Sequence, residues 1–176
     1  LSNPKTQAEI TAADAYAFSD GKAIFGSGTR FPEVVVDGQV REPGQVNNFF
    51  IFPGMSFGAM SCGAKTIPES FFMVAAEAVA NALDAHDIEV ESVVPHPNRI
   101  RQVAENVATA VVLAAQADGL AATTLGATKA EVAAELRKRM WTPPADRTRP
   151  AAPPNRRRST VNLGELSVCE RDMAQH

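Results

Sequence analysis

The sequence predicts an α/β fold that is mostly helical and has only short strands. Two segments, residues 99–117 and 129–140, carry apolar residues at the spacing of an amphipathic helix. The run Val34-Val35-Val36 is followed by Asp37-Gly38, a dipeptide that is typical of a two-residue hairpin turn.

The first helix is expected to begin after Thr11, whose hydroxyl can accept a hydrogen bond from the first turn. Asp14 in that first turn suits the positive end of the helix dipole. The helix should end near Asp20, because Gly21 adopts left-handed backbone angles readily. The next three residues, Ala23-Ile24-Phe25, predict a short buried strand that enters a glycine-containing loop.

The middle of the chain predicts two packed helical segments. Residues 47–64 are apolar on nearly all sides, which is typical of a buried element. Gly54 and Gly58 stand four residues apart there and indicate close helix packing. Pro68 is expected to open a helix that reaches Leu83. Residues 84–97 have no clear period and are predicted to form a connector.

The composition changes after Trp141, so the chain divides into a domain over residues 1–142 and a tail over residues 143–176. Prolines alternate with arginines in the tail, and large apolar residues are few. Such a segment buries too little apolar surface to offset the entropy lost on ordering. The tail is therefore predicted to be mostly disordered.

The composition excludes several classes of function. The chain has 176 residues and a net charge of -3, which indicates no nucleic acid partner and no anionic membrane partner. No apolar run is long enough to span a bilayer. Cys62 and Cys169 lie far apart, form neither a zinc pattern nor a disulfide framework, and favour a reduced compartment. The chain opens at Leu1 without a targeting signal, so we expect an upstream portion, and the compartment stays open between the cytoplasm and the matrix of a mitochondrion or plastid.

Three asparagines are the candidate binding residues, namely Asn3, Asn47 and Asn48. The three histidines are isolated in the sequence, and Gly26-Ser27-Gly28 lacks the third glycine of a dinucleotide turn. An asparagine amide offers two donor hydrogens and an acceptor oxygen, which suits a small carboxylate at the carboxyl end of a parallel sheet. Capping of the following helix by Asn47 is the alternative, and the pattern alone favours it.

Several segments resemble, in order, the motifs of one family. Leu1-Ser2-Asn3-Pro4, followed by Gln7-Ala8-Glu9, resembles the LSNPTSxAE segment of malic enzymes. Phe25-Gly26-Ser27-Gly28 is similar to the start of the family's FASGSPF motif. The most specific piece runs from Pro43 to Gly54 and resembles PGQxNNxYIFPG. Val93 to Val103 is similar to LYPPLSNIREV, so the resemblance covers about residues 1–144.

The resemblance implies the C-terminal half of a Rossmann-like NAD(P)-binding domain. Malic enzymes convert malate to pyruvate and carbon dioxide, reduce NAD or NADP, and hold the substrate with Mg²⁺ or Mn²⁺. By resemblance, Asn3 lines the substrate and nicotinamide pocket, Asn47 hydrogen-bonds a malate carboxylate, and Asn48 lies beside it. The family's acid–base tyrosine and lysine, its acidic metal ligands and its glycine-rich turn would precede Leu1. This chain alone is therefore expected to be inactive, and the full-length enzyme to be a homodimer or homotetramer.

The chain also departs from the family pattern. Lys5 stands where threonine is usual, Arg30 replaces a common proline, and Val46 occupies a place where glycine or alanine is usual. The branched side chain of Val46 restricts the backbone before Asn47. These departures motivate a second hypothesis, in which the chain is a truncated, non-catalytic paralogue that acts as a binding or interaction module.

Overall fold

The computed structural model describes residues 4–142 and 161–162. The predictions that concern Asn3 and nearly all of the 143–176 tail lie outside these described residues. The chain divides into two compact units. We call them the strand unit, Leu1–Asn47 with Asp84–His96 and Ala151–His176, and the helical unit, Asn48–Leu83 with Pro97–Pro150.

Among the described residues, the strand unit contains two helices and five short strands. The helices are α1, Ala12–Phe18, and α4, Ala85–Glu89. The strands are β1, Gly26–Ser27; β2, Val34–Val36; β3, Gln39–Arg41; β4, Gly44–Gln45; and β5, Val161–Asn162. A 3-10 turn covers Lys5–Gln7. β1 and β4 form one parallel pair, and a second sheet has the order β3-β2-β5.

The predicted hairpin is confirmed. β2 and β3 pair antiparallel, with Val36 opposite Gln39 and Val34 opposite Arg41. Asp37 and Gly38 both have positive φ, at 51° and 78°, as the turn between two such strands requires. β5 lies on the other side of β2 and pairs with it in parallel.

The first helix is confirmed, and the strand expected after it is misplaced. The Thr11 hydroxyl accepts from the Asp14 N–H at 3.1 Å, and a left-handed Gly21 follows the helix end. The expected strand over Ala23-Ile24-Phe25 is wrong, because β1 begins at Gly26 and Ile24 is 79% exposed. Phe25 is buried, and its ring contacts Tyr16 and Phe31.

The segment predicted to be a connector, residues 84–97, contains the short helix α4. The Asp84 carboxylate accepts from the Asp87 N–H and the Asp87 carboxylate accepts from the Asp84 N–H, both at 2.9 Å. This reciprocal pair is a capping box. The two aspartates, three residues apart, were the sequence signal for this helix.

The helical unit is organised around one long helix. Its helices are α2, Phe52–Cys62; α3, Ser70–Ala80; α5, Ile100–Ala117; and α6, Lys129–Arg139. 3-10 turns cover Asn48–Phe50 and Pro97–Arg99. α5 packs against the other three helices. The predictions for α3, α5 and α6 are confirmed to within a few residues at their ends.

Two glycines let α2 approach α5 closely, as their spacing predicts. A Cβ on Gly54 would lie 2.6 Å from the carbonyl oxygen of Ala104. A Cβ on Gly58 would lie 2.6 Å from the carbonyl oxygen of Ala108. The prediction that this segment is buried all round is wrong in part, since Met60 is 81% exposed. No helix in the described part of the chain is long and apolar enough to cross a membrane.

Candidate functional site

The parallel pair of β1 and β4 forms the candidate site. Gly26 is paired with Gly44 and Ser27 with Gln45, so Gly28 and Asn47 follow the carboxyl ends of neighbouring strands. In parallel α/β sheets, ligands bind at this edge. The Asn47 Nδ2 donates to the Gly28 carbonyl oxygen at 3.0 Å. The structure therefore holds the Asn47 amide at the carboxyl edge of this parallel pair.

The loop that carries Gly28 is held from several sides. The Gly44 N–H donates to the Phe25 carbonyl oxygen at 3.2 Å, just before the paired residues. The Ser27 side chain is buried, and its Oγ accepts from the Thr29 N–H at 3.4 Å. A Cβ on Gly44 would lie 2.6 Å from a methyl carbon of Val93, so this glycine permits close packing on its strand.

A charged cluster lies next to this loop. Arg30 forms an ion pair with Glu42. The His96 Nε2 lies 3.5 Å from one oxygen of the Glu42 carboxylate, and the His86 Nε2 lies 3.9 Å from the other. Both histidines lie far from Glu42 in the sequence, and chain folding brings the two rings to its carboxylate. His176 lies outside the described residues.

The three predicted asparagines lie in three different parts of the chain. Asn3 precedes the described part of the chain. Asn47 belongs to the strand unit and contacts Gly28. Asn48 belongs to the helical unit, where its side chain is exposed and its carbonyl accepts from the Ile51 N–H at 3.0 Å. Asn47 does not cap α2, whose N-cap is Ile51, and it directly precedes the 3-10 turn Asn48–Phe50.

Burial raises the pKa of one residue in each unit, Tyr16 in the strand unit and Cys62 in the helical unit. Burial raises the pKa of the Tyr16 phenol, and the nearby charge of Arg41 partly offsets that rise. Burial also raises the pKa of the Cys62 thiol, whose Sγ lies 3.6 Å from the Ala59 carbonyl oxygen. Both side chains are therefore held in their neutral forms, and each serves as part of a packed core.

The described residues do not supply a metal-binding set. Within residues 4–142 and 161–162, no group of three or more histidine, cysteine, aspartate or glutamate side chains could hold a metal ion. Although Glu42 faces two imidazoles, it already pairs with the guanidinium of Arg30. The donor set seen here therefore does not fit the Mg²⁺ or Mn²⁺ that the family resemblance implies.

Sequence reasoning missed Gly28 and Glu42 as parts of this site. Glu42 pairs with a residue twelve positions away, and neither helix nor strand periodicity relates the two. The available signal was the pair of motifs around Gly26 and Gly44, which could have been placed on adjacent strands. That placement would have brought the Gly28 carbonyl to the Asn47 amide.

Comparison with known proteins identifies the family. The model of the family described as "Malic enzyme, NAD binding domain" matches residues 1–116, which is well over half of the chain. The chain belongs to the malic enzyme family. This domain of malic enzymes is Rossmann-like and binds a nicotinamide nucleotide, so the predicted fold class is confirmed and the cofactor is a nucleotide of this class.

The chain is also similar in sequence to individual malic enzymes. NADP-dependent malic enzyme 2 of Arabidopsis thaliana is 40% identical over 111 residues, which cover 63% of this chain and 19% of that protein. The NADP-dependent malic enzyme of Dictyostelium discoideum is 36% identical over 121 residues, or 69% of this chain and 22% of that protein. The NADP-dependent malic enzyme of Homo sapiens is 37% identical over 113 residues, or 64% and 20%. The chain thus spans about a fifth of the length of these relatives.

Proposed function

We propose that this chain is the substrate-side part of a malic enzyme, which oxidises malate to pyruvate and carbon dioxide and reduces NAD or NADP. The observation that carries the proposal is the Asn47 amide, held on Gly28 at the carboxyl edge of two parallel strands. Family membership and the order of the motifs support it. The names of the three relatives above favour NADP over NAD.

In the proposed complex, the Asn47 amide nitrogen donates to a carboxylate oxygen of malate. An amide nitrogen carries two hydrogens, so it can contact Gly28 and the substrate together. A neutral amide orients a dianion without cancelling the positive charge that a divalent ion supplies. Loss of a hydrogen bond to a charged group costs about 1.5–3 kcal/mol, which is the size of the contribution we assign to Asn47.

We assign Asn3 and Asn48 to the same pocket on the strength of the family motifs. Asn3 would line both the malate and the nicotinamide positions, and Asn48 would lie beside Asn47. Because the described residues offer no metal-binding set, the proposed role of this chain is limited to binding and orienting the substrate and the nucleotide. The active form would be a homodimer or homotetramer that includes the family's remaining segments, and this chain alone would be inactive.

A chimera tests the proposal. The segment of the human NADP-dependent malic enzyme that matches this chain, 113 residues, is replaced by the corresponding residues of this chain. The proposal predicts malate-dependent reduction of NADP by the chimera and none by this chain alone. The unmodified human enzyme is the control. A chimera that folds and assembles like the parent but does not oxidise malate would refute the proposal.

A non-catalytic binding module is the second candidate function. It is favoured by the exposed apolar side chains of α2, since Phe52 is 49% exposed and Met60 is 81% exposed. Exposed apolar side chains on one helix are a feature of interaction surfaces. The chimera separates the two candidates, because a binding module would not support malate oxidation in that setting.

A further inference from the structure

We propose that Glu42 is a positioning residue that holds the Gly28 carbonyl in place through Arg30 and thereby sets the direction of the Asn47 amide. The functional consequence, correct placement of a malate carboxylate, rests on the function proposed above. The positioning itself concerns only contacts within the strand unit.

The Glu42 carboxylate is a fixed point in this unit. Its side chain is only 13% exposed and pairs with Arg30, which is 15% exposed. His86 and His96 approach the same carboxylate from α4 and from the segment that follows it. The Glu42 N–H also donates to the Val90 carbonyl oxygen at 2.9 Å. Backbone and side chain are therefore anchored together, so the carboxylate offers Arg30 a rigid partner.

Arg30 transmits this anchoring to the loop. It lies two residues after Gly28, so the ion pair with Glu42 holds the distal end of the loop. Pairing between β1 and β4 holds the proximal end, at Ser27. A loop fixed at both ends leaves the Gly28 carbonyl little freedom to move. Since the Asn47 Nδ2 donates to that carbonyl at 3.0 Å, the amide plane follows it.

The cluster is a feature of this chain rather than of the family motif. Arg30 stands where the malic enzyme motif commonly has proline, which could form no such ion pair. A proline fixes its own φ and stiffens a loop through its ring. Here the Arg30–Glu42 ion pair restrains the same loop through side chains. Removal of a charge would weaken the restraint by the ion pair but not a restraint by a proline ring, and this difference makes the proposal testable.

Nuclear magnetic resonance of the complete ¹⁵N-labelled chain tests the positioning directly. The Asn47 side-chain NH₂ signals are assigned by their loss in Asn47→Asp. Glu42→Gln keeps the size of the side chain and removes its charge, and we expect it to shift the Asn47 signals. Glu33→Gln, which removes one negative charge elsewhere in the same unit, is the matched control and should leave them in place. Unchanged Asn47 signals in a folded Glu42→Gln chain would overturn the proposal.

A second variant covers the case in which Glu42→Gln fails to fold. Removing one partner of a buried ion pair leaves a charge without its partner, whereas removing both avoids that cost. Arg30→Gln with Glu42→Gln removes both charges and keeps amide groups that can hydrogen-bond. We expect the Asn47 signals to shift in this variant too, and their constancy would again contradict the positioning role.

Kinetics in the chimera separate positioning from plain stabilisation. A misplaced Asn47 amide would lose much of its hydrogen bond to the malate carboxylate, so Glu42→Gln should raise the KM for malate roughly tenfold. The KM for NADP should stay the same, whereas a general loss of stability would change both KM values. If the unsubstituted chimera is inactive, the proposed function fails, yet the NMR result still decides the positioning role. Equal changes in both KM values would refute it.

Discussion

Gly26 lies so close to Val46 that a Cβ at position 26 would stand 2.6 Å from the Val46 Cγ2. The malic enzyme motifs have alanine at the position of Gly26 and glycine or alanine at the position of Val46. In this chain the residue at position 26 is therefore smaller than usual, and the residue at position 46 is larger. The two departures therefore compensate each other, and the added volume has moved from β1 to the residue that follows β4.

The compensation predicts a coupled response to substitution. Gly26→Ala should destabilise the chain by about 1–3 kcal/mol, because the new methyl group overpacks against Val46. Val46→Ala alone should cost about 1 kcal/mol through lost burial. The double variant should recover most of the loss, with a coupling energy of about 1 kcal/mol or more. The free energy of unfolding in urea measures all three, and strictly additive effects would contradict the compensation.

Gly58 gives a second test of close packing. A Cβ on Gly58 would lie 2.6 Å from the Ala108 carbonyl oxygen and 2.9 Å from its Cα. Because both atoms belong to the backbone of α5, they cannot move aside as a side chain would. Gly58→Ala should therefore destabilise the chain by about 1–3 kcal/mol despite the better helix propensity of alanine.

Ser56→Ala is the matched control for Gly58→Ala. Ser56 is on the same helix and its side chain is exposed. Its replacement should change the thermal midpoint of the chain little, whereas Gly58→Ala should lower it by several degrees. An equal midpoint for the two variants would mean that α2 and α5 are not in backbone contact at Gly58.

Thr128, the N-cap of α6, and Glu131 form a capping box, which predicts a pH dependence of stability. The Glu131 carboxylate accepts from the N–H groups of Ala127 and Thr128, which lowers its pKa below its ordinary value of 4.5. A group whose pKa is lower in the folded state contributes stability above its unfolded pKa. It loses that contribution as the pH falls through the folded value.

Glu131→Gln isolates this contribution, since glutamine can accept the same hydrogen bonds but does not titrate. The stability of the wild-type chain relative to Glu131→Gln should be constant above about pH 6 and should fall between about pH 5 and pH 3. Unfolding in urea at a series of pH values measures the difference. A difference that stays constant down to pH 3 would contradict the assigned interaction.

Local signals made much of the fold predictable from the sequence. The Asp37-Gly38 turn specified the β2–β3 hairpin, and Thr11 specified the start of α1. The apolar spacing over residues 100–117 specified α5. Each of these elements depends on interactions within a few residues of sequence, which composition and periodicity report well.

Features that depend on distant contacts were harder to predict. β1 was placed three residues early, because two-residue strands are defined by pairing with a partner rather than by their own composition. The Arg30–Glu42 ion pair and the Gly28–Asn47 hydrogen bond both depend on the parallel alignment of β1 and β4. Asn47 was identified from its motif. The group that orients it emerged only from the folded chain.

The role of Asn47 in binding malate is tested most directly by the kinetics of Asn47→Ala in the chimera. Asn81→Ala, at an exposed asparagine that ends α3, serves as the control for amide loss elsewhere. We predict that Asn47→Ala lowers kcat/KM for malate by about 10–100-fold, the equivalent of one hydrogen bond to a carboxylate. The KM for NADP should stay unchanged, and Asn81→Ala should behave like the parent. An Asn47→Ala chimera with an unchanged kcat/KM for malate would contradict the assignment of this amide to the substrate.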